Sequence, residues 1–430
     1  MVIFMNIRLY NARLLTMENN SISYGCVYVK DNKITYVGTK DIESDDTVWD
    51  REIDCNGNLL MPGFNNAHTH SPMSGLRALA DDMPLFDWLN NKIFPFENKM
   101  TENDMNYFTK LSLLEYLRAG ITGIFDMYFC IDAVREACEE YGYPLVMCGA
   151  VNNFVQSAAK MEELYQKYNY EDGMVQYRLG FHAVYTTNDK LLREIAELSG
   201  HYKAPVYAHL CETKKEVNDC IKQTGMTPIA YLDNMGMFNN GGGGFHCVHL
   251  DNADISILKS KNLSVITCPS SNLKLASGIA PIYRYLEEGI NVSIGTDGPS
   301  SNNCLNMFKE MFLTATLSKA LSYDATVLPA FEVLKMATVN GDKIMNVSKK
   351  SVLKEGSYAD IVMLDLKKPN MQPENDIISN VVYSAGTDNV IMTMVRGNIL
   401  YKDGVFFVKD KPEDIYGVCN EITARLKDSV

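Results

Sequence analysis

Two of the seven histidines in this chain, His68 and His70, stand one residue apart at the end of a predicted β-strand. Side chains two residues apart in a strand lie on the same face, so the two imidazoles project together, about 7 Å apart along the backbone. A pair at this spacing suits one metal ion. A His-x-His step also occurs in ordinary strands, with the rings satisfied by hydrogen bonds, and further ligands decide between the two interpretations.

Further metal-ligand residues stand in later predicted strands. His209 ends the fifth strand, His246 lies in the sixth and Asp297 ends the eighth. The strand ends of a barrel converge, so His209 and Asp297 can join the pair of His68 and His70. Three imidazoles and one carboxylate, with an open position for water, suit Zn²⁺ or Fe²⁺. For Asp297 the alternative is a turn residue between two glycines.

Glu212 and His246 are the candidates for proton transfer. Glu212 follows His209 by three residues, at the point where the strand should give way to a loop. Its carboxylate can therefore reach over a metal without being a ligand. The alternative for Glu212 is a solvated loop acid or a residue at the start of a helix, and the alternative for His246 is a core histidine.

Strand-like and helix-like segments alternate over roughly 300 residues, which predicts βα units and a parallel sheet. Eight strands with intervening helices are typical of a TIM (β/α)8 barrel, whose chemistry lies at the C-terminal ends of the strands. A doubly wound open sheet is the alternative, but its Gly-rich turn between strand and helix is missing. The predicted strands are 58–70, 121–127, 145–151, 175–184, 206–210, 244–249, 263–268 and 291–297.

The two ends of the chain have a different pattern. Residues 1–60 contain short alternating strands with polar turns, and β character returns after residue 352, at 359–364, 390–395 and 398–401. We expect these strands to pair in a small composite β-sandwich domain of residues 1–60 and 353–430, with a last helix from about Pro412. The barrel domain is then 61–352.

The composition indicates an ordinary globular protein, with 46% hydrophobic and 22% charged residues. A net charge of −13 disfavours nucleic acid as a partner. The eleven cysteines form no CxxC pair, which favours reduced thiols. We find no signal peptide and no uncharged run near the length of a membrane span. These features predict a cytoplasmic protein with a small-molecule substrate and no membrane partner.

Three segments carry a resemblance to a known family. The runs 61–97 (MPGFNNAHTHSPMSGLRALADDMPLFDWLNNKIFPFE), 209–212 (HLCE) and 268–306 resemble the amidohydrolase superfamily, and within it the methylthioadenosine/S-adenosylhomocysteine deaminases. The resemblance covers nearly the whole chain. It implies one divalent metal, with Zn²⁺ favoured over Fe²⁺, held by His68, His70, His209 and Asp297. Binuclear relatives carry a carboxylated lysine in the fourth strand, and the run 180–182 has none.

The resemblance also implies a reaction, the hydrolytic deamination of an adenosine-type nucleoside to its inosine analogue and ammonia. The substrate would be adenosine, 5′-deoxyadenosine, methylthioadenosine or S-adenosylhomocysteine. In this scheme Asp297 takes a proton from water, and His246 orients the attacking oxygen. Glu212 contacts the substrate, protonates its ring nitrogen and helps to pass protons to ammonia. A divalent metal contributes by lowering the pKa of water to about 7.

Asp87, Trp88 and His182 match substrate contacts of the family. Asp87 stands where the family has a glutamate that holds the ribose hydroxyls, and it is one methylene shorter. Trp88 either walls the pocket or only packs in a loop. Cys148 stands where deaminases that accept S-adenosylhomocysteine have an arginine, and Lys160 lies near a second such position. Losing a planar cation should weaken recognition of a carboxylate-bearing 5′ tail, which favours a smaller or apolar 5′ group.

Two other functions are compatible with parts of the pattern. Relatives with the same ligands deaminate guanine, pterins or cytosine, or hydrolyse triazines, but the segment 81–88 favours the nucleoside group. A catalytically dead barrel used as a scaffold is the third hypothesis. It is disfavoured because all the expected ligands and Glu212 are present. The resemblance further implies a homo-oligomer, a dimer or a tetramer.

Overall fold

The computed structural model describes residues 5–39, 48–169, 173–345 and 351–428. The outermost residues of the predicted terminal segments, 1–4 and 429–430, lie outside the described residues. None of the described helices is both long and apolar enough to cross a membrane. Two sheets carry the fold, one with eight strands and one with nine.

The strands are numbered here in chain order. The first five are β1 (Asn6–Leu15), β2 (Ile22–Lys30), β3 (Lys33–Gly38), β4 (Arg51–Asp54) and β5 (Leu59–Pro62). The next eight are β6 (Phe64–Thr69), β7 (Ile121–Tyr128), β8 (Leu145–Gly149), β9 (Val175–Ala183), β10 (Val206–Leu210), β11 (Gly242–His246), β12 (Leu263–Thr267) and β13 (Asn291–Ile294). The last four are β14 (Ile361–Leu364), β15 (Val390–Val395), β16 (Asn398–Lys402) and β17 (Val405–Phe406).

The α-helices are numbered in the same way. The first nine are α1 (Leu85–Trp88), α2 (Phe94–Glu97), α3 (Glu102–Arg118), α4 (Ile131–Tyr141), α5 (Ala158–Tyr168), α6 (Asp189–Tyr202), α7 (Lys214–Thr224), α8 (Pro228–Asn234) and α9 (Asn252–Ser260). The others are α10 (Pro269–Lys274), α11 (Ile282–Glu287), α12 (Pro299–Asn302), α13 (Met307–Ser322), α14 (Ala330–Met336), α15 (Val339–Met345), α16 (Ile377–Tyr383) and α17 (Pro412–Asp428). Side-chain caps begin several of them, such as Thr213 at α7 and Asp251 at α9.

Strands β6 to β13 are parallel and neighbours in chain order, which confirms the predicted (β/α)8 barrel. The first and last strands meet at a seam. There the Asp297 N–H donates to the His68 carbonyl at 2.9 Å. A Cβ atom added to Gly295 would lie 2.7 Å from the His68 Cβ, so only glycine allows this close approach. The barrel is therefore closed next to two of the predicted ligands.

Two predicted strands differ from the observed ones. The segment 58–70 is divided at Gly63, whose N–H donates to Asp360 while the next residue bonds to Gly120. The chain thus leaves the terminal sheet and enters the barrel at this point. Strand β11 starts earlier than predicted and ends at His246, because His246 and Cys247 have left-handed φ angles of 68° and 48°.

Strands from both ends of the chain pair, as predicted. The strands of the two chain ends are joined by the antiparallel pair of β5 and β14, and β5 in turn runs parallel to β1. All nine strands form one continuous sheet, and side chains from its two halves, such as Leu9 and Met392, pack into one core. The predicted last helix is α17, which packs on α3.

We expect Gly295→Ala to lower the free energy of unfolding by about 1–3 kcal/mol, because the added methyl group would overlap His68 at the barrel seam. The control is Gly200→Ala in α6, where an added Cβ meets no atom within 4 Å. That change is expected to raise the free energy of unfolding by about 0.5–1 kcal/mol. Denaturant unfolding measures both. An unchanged value for Gly295→Ala would contradict the tight seam.

Candidate metal centre and active site

A cavity of about 370 Å³ opens among the ends of the barrel strands. This is the end at which barrels carry their chemistry. Four histidines, from the ends of four strands, and three acidic side chains reach the cavity. These residues are His70, His182, His209, His246, Glu97, Glu212 and Asp297.

The predicted ligands gather around His68. The ring of His68 lies 4.7 Å from that of His70 and 4.9 Å from that of His209, between centroids. The Asp297 Oδ1 atom lies 3.2 Å from His70 Nε2 and 3.6 Å from His68 Nε2. Two triads have ligand atoms within 4.8 Å of one another. One is His68, His70 and Asp297, and the other is His68, His209 and His246.

Hydrogen bonds on the far side of the rings orient two of these histidines. The His70 Nδ1–H donates to the Met127 carbonyl at 2.5 Å, and the His209 Nδ1–H donates to the His182 carbonyl at 2.7 Å. A carbonyl only accepts, so each Nδ1 carries a proton and each Nε2 is directed toward the cavity. This is the orientation in which a histidine coordinates a metal through Nε2.

The donor set fits a divalent cation. His68 is fully buried, and neither of its ring nitrogens has a hydrogen-bond partner among the described residues. Burial lowers the pKa of His68 and His209, which keeps both rings neutral. Burial alone would raise the pKa of Asp297, but its hydrogen bond with His70 holds that pKa well below the usual value. Although burial opposes this, the hydrogen bond to Asp297 raises the pKa of His70 to about 8. The neutral rings of His68 and His209 beside the ionised Asp297 are ligands for Zn²⁺ or Fe²⁺, and His70 can join them when its Nε2 gives up its proton.

The carboxylate of Asp297 is fixed by its surroundings. Its backbone has a left-handed φ of 60°, and its Oδ1 accepts from the Gly298 N–H at 2.7 Å. Its Oδ2 accepts from the hydroxyls of Ser271 and Ser301. Both oxygens are thus oriented before any ligand binds.

Glu212 and His246 lie side by side in the cavity. Glu212 Oε2 is 3.8 Å from His246 Nε2, and Glu212 Oε1 accepts from the Ser277 hydroxyl at 3.1 Å. His246 Nδ1 faces Asn272 Oδ1 at 2.7 Å. Burial raises the pKa of Glu212, which favours its protonated form. A carboxyl group that favours its protonated form can act as a general acid toward a bound substrate.

Three of the four predicted substrate residues line the cavity, and one does not. Trp88, His182 and Glu212 reach it, and burial lowers the pKa of His182 to about 4, so this ring is neutral at pH 7. Asp87 is exposed and is not part of the lining. Positions 85, 88 and 89 share the inward face of the helical segment, which turns position 87 outward.

Glu97 is the cavity acid that we did not predict from the sequence. It is buried, it lines the cavity and its Oε1 accepts from the Tyr128 hydroxyl at 2.7 Å. Burial raises its pKa to about 7. The available signal was a single acid directly after the apolar run 93–96, since such an acid needs a partner if it is buried.

The cavity contains acids but no Lys or Arg in its described lining. Cys148 does not line it and packs inside the barrel with Phe125 and Tyr207. The residues that follow strand β8 into the cavity are Ala150, Asn152, Phe154 and Val155. None of them is a cation.

Known proteins are similar to this chain over nearly its whole length. Residues 59–400 match the sequence model of the amidohydrolase family. A 5-methylthioadenosine/S-adenosylhomocysteine deaminase of Thermoanaerobacter pseudethanolicus is 38% identical, over 96% of this chain and 98% of that protein. A 5′-deoxyadenosine deaminase of Methanocaldococcus jannaschii is 38% identical, over 92% and 95%. The zinc-bound crystal structure of a Xanthomonas campestris adenosine deaminase is 29% identical, with a TM-score of 0.92 over 99% of both chains.

We expect the purified protein to hold about one equivalent of a divalent metal, measured by inductively coupled plasma mass spectrometry. His209→Ala should lose most of that metal because it removes a buried Nε2 donor. The control is His182→Ala, because His182 Nδ1 bonds to Thr186 Oγ1 at 3.0 Å and the ring belongs to neither triad. Equal metal contents in the two variants would contradict the ligand set.

Proposed function

Because this chain belongs to the amidohydrolase family, we propose that it catalyses the metal-dependent hydrolytic deamination of an adenosine-type nucleoside. The products are the inosine analogue and ammonia. The observation that carries this proposal is the position of Glu212, a buried carboxyl group with a raised pKa beside His246 and the ligand cluster, in one cavity. The names of the relatives support the same substrate class.

The proposed metal is a single Zn²⁺, held by His68, His70, His209 and Asp297. When bound, such a cation would supply Lewis-acid chemistry that lowers the pKa of water to about 7. The zinc in the Xanthomonas adenosine deaminase supports this choice, as does the donor set of imidazoles and a carboxylate.

The side chains of the chain have distinct proposed roles in the reaction. Water attacks the ring carbon that bears the amino group, and Asp297 accepts the proton that the water loses. Glu212 donates a proton to the neighbouring ring nitrogen as the ring loses its aromaticity. His246 orients the attacking water. When the carbon–nitrogen bond breaks, Asp297 returns its proton to the amino group, which leaves as ammonia. The deprotonated Glu212 takes the proton of the added hydroxyl as the carbonyl forms, so both acids regain their starting states.

Trp88, His182, Glu212 and Glu97 are the proposed contacts to the substrate. Trp88 offers an aromatic wall and His182 a neutral polar ring. Glu97 replaces Asp87 as the acid proposed to accept hydrogen bonds from the ribose hydroxyls, because its carboxyl group faces the cavity. A reaction on another heterocycle, such as guanine, pterin, cytosine or a triazine, has less support because the relatives reported above are named for adenosine derivatives.

We propose that residues 61–352 form the barrel domain and that 1–60 with 353–430 form the second domain. A cytoplasmic location is supported by the eleven cysteines, none of which forms a disulfide. The homo-oligomer, a dimer or a tetramer, is an expectation from the family.

Incubation with a panel of purines and adenosine derivatives should release ammonia from the adenosine-type nucleosides. Glu212→Gln should bind metal as the wild type does but lose about a hundredfold to ten-thousandfold in kcat, because the amide cannot donate an acidic proton. A coupled ammonia assay and a metal assay measure the two properties. A rate near that of the wild type in Glu212→Gln would contradict the assigned proton transfer.

The absence of cavity cations predicts selectivity at the 5′ position. We expect kcat/KM to be at least about tenfold higher for adenosine or methylthioadenosine than for S-adenosylhomocysteine, whose carboxylate finds no Lys or Arg. Phe154→Arg places a cation at an exposed position of the cavity rim and should bring the two kcat/KM values closer together. Phe154→Gln is the uncharged control and should leave their ratio unchanged. A wild-type preference for S-adenosylhomocysteine would contradict the prediction.

A further inference from the structure

Glu216 is a buried carboxylate that lies outside the cavity and has no place in the reaction described above. It is the third residue of α7, and its N–H donates to the hydroxyl of the cap residue Thr213 at 3.1 Å. Its side chain turns back toward the strand that precedes the helix. Glu216 Oε1 accepts from the Cys211 N–H at 3.0 Å, and Glu216 Oε2 accepts from the Glu212 N–H at 2.8 Å.

The backbone that Glu216 holds is an unusual one. Cys211 has a φ of 52°, in the left-handed region that residues other than glycine seldom adopt. Its carbonyl accepts from the N–H groups of Val248 and His249 at 3.1 Å and 2.9 Å. Cys211 is therefore fixed between the carboxylate of Glu216 on one side and the segment that follows His246 on the other. A strained conformation of this kind persists only when its surroundings enforce it.

We propose that Glu216 is a positioning residue for the reaction, which acts by holding the backbone of Cys211 and Glu212 so that the Glu212 carboxyl group points at Ser277 and His246. This inference rests on the proposed function. A carboxylate suits the task because it offers two acceptor oxygens to two N–H donors. Glutamine has only one such oxygen, and its NH₂ group would face an N–H donor. Glu216→Gln should therefore release one of the two backbone bonds with little change in side-chain volume.

The first measurement is a double-mutant cycle of Glu212→Gln and Glu216→Gln, with kcat, KM and metal content determined for each variant. Glu216→Gln alone should lower kcat by about tenfold to a hundredfold, since small misplacements of a catalytic group cost rates of this size. KM and metal content should change less than about threefold. In the Glu212→Gln background the same change should alter kcat less than about twofold. An equal loss of kcat from Glu216→Gln in the wild type and in the Glu212→Gln variant would overturn the proposal.

Two further variants separate positioning from stability. Asp254 is also buried and is the third residue of α9, and it too reaches back to the N–H of its cap residue, Asp251. Asp254→Asn should lower the melting temperature but leave kcat within about twofold of the wild type. Glu216→Asp keeps the charge and both acceptors, so it should recover part of the kcat that Glu216→Gln loses. It also replaces Glu216→Gln in the cycle if that variant does not fold.

A second measurement does not depend on activity. In a crystal structure of zinc-loaded Glu216→Gln, the Glu212 carboxyl group should lie at least about 1 Å from its wild-type position and lose its bond to Ser277. An unmoved Glu212 would overturn the proposal even if the wild type turned over no nucleoside. Absence of turnover in the wild type, with Glu212 displaced in the variant, would overturn the proposed function and leave the positioning role supported.

Discussion

The closure of the barrel is the constraint on which the site depends. One backbone hydrogen bond, from the Asp297 N–H to the His68 carbonyl, joins the first barrel strand to the segment after the last one. These two residues lie far apart in the chain, and at the seam they place an imidazole and a carboxylate beside each other. The glycine at 295 permits this approach, since any side chain there would strike His68. The contacts that close the barrel thus also set the relative positions of two predicted ligands.

Buried carboxylates brace the segments that carry the reactive side chains. Asp126 accepts from the N–H of Ser71, which follows the ligand His70. Glu216 accepts from the N–H of Glu212 itself. Glu310 accepts from the N–H of Ser270, which precedes the Ser271 that bonds to Asp297. Burial raises the pKa of Asp126 to about 6 and that of Glu216 and Glu310 to about 7. Because these folded-state pKa values are raised, ionisation of the three acids opposes folding as the pH rises through them. The three acids therefore fix the geometry around the cavity at a cost in the free energy of folding.

The sequence predicts the parts of this molecule that repeat or carry unusual residue types. Eight strand-like segments that alternate with helix-like ones predict the barrel strands, and scarce histidines at strand ends predict the cluster around His68. The end of β11 was misplaced because left-handed angles at His246 and Cys247 have no signature in residue type. Asp87 was predicted from its match to a family motif and Glu97 was not singled out, because a motif does not say which face of a short helical segment turns inward. The inward face is set by packing against the barrel.

The charge balance of the cavity connects the metal to the choice of substrate. Asp297 is ionised, whereas burial raises the pKa of Glu97 to about 7 and also raises that of Glu212. No Lys or Arg lies in the described lining, so a divalent cation is the positive charge that would pair with Asp297. A carboxylate at the 5′ end of a substrate would lose its water on entering the cavity and would meet no Lys or Arg in the described lining. The lining therefore favours a neutral 5′ group.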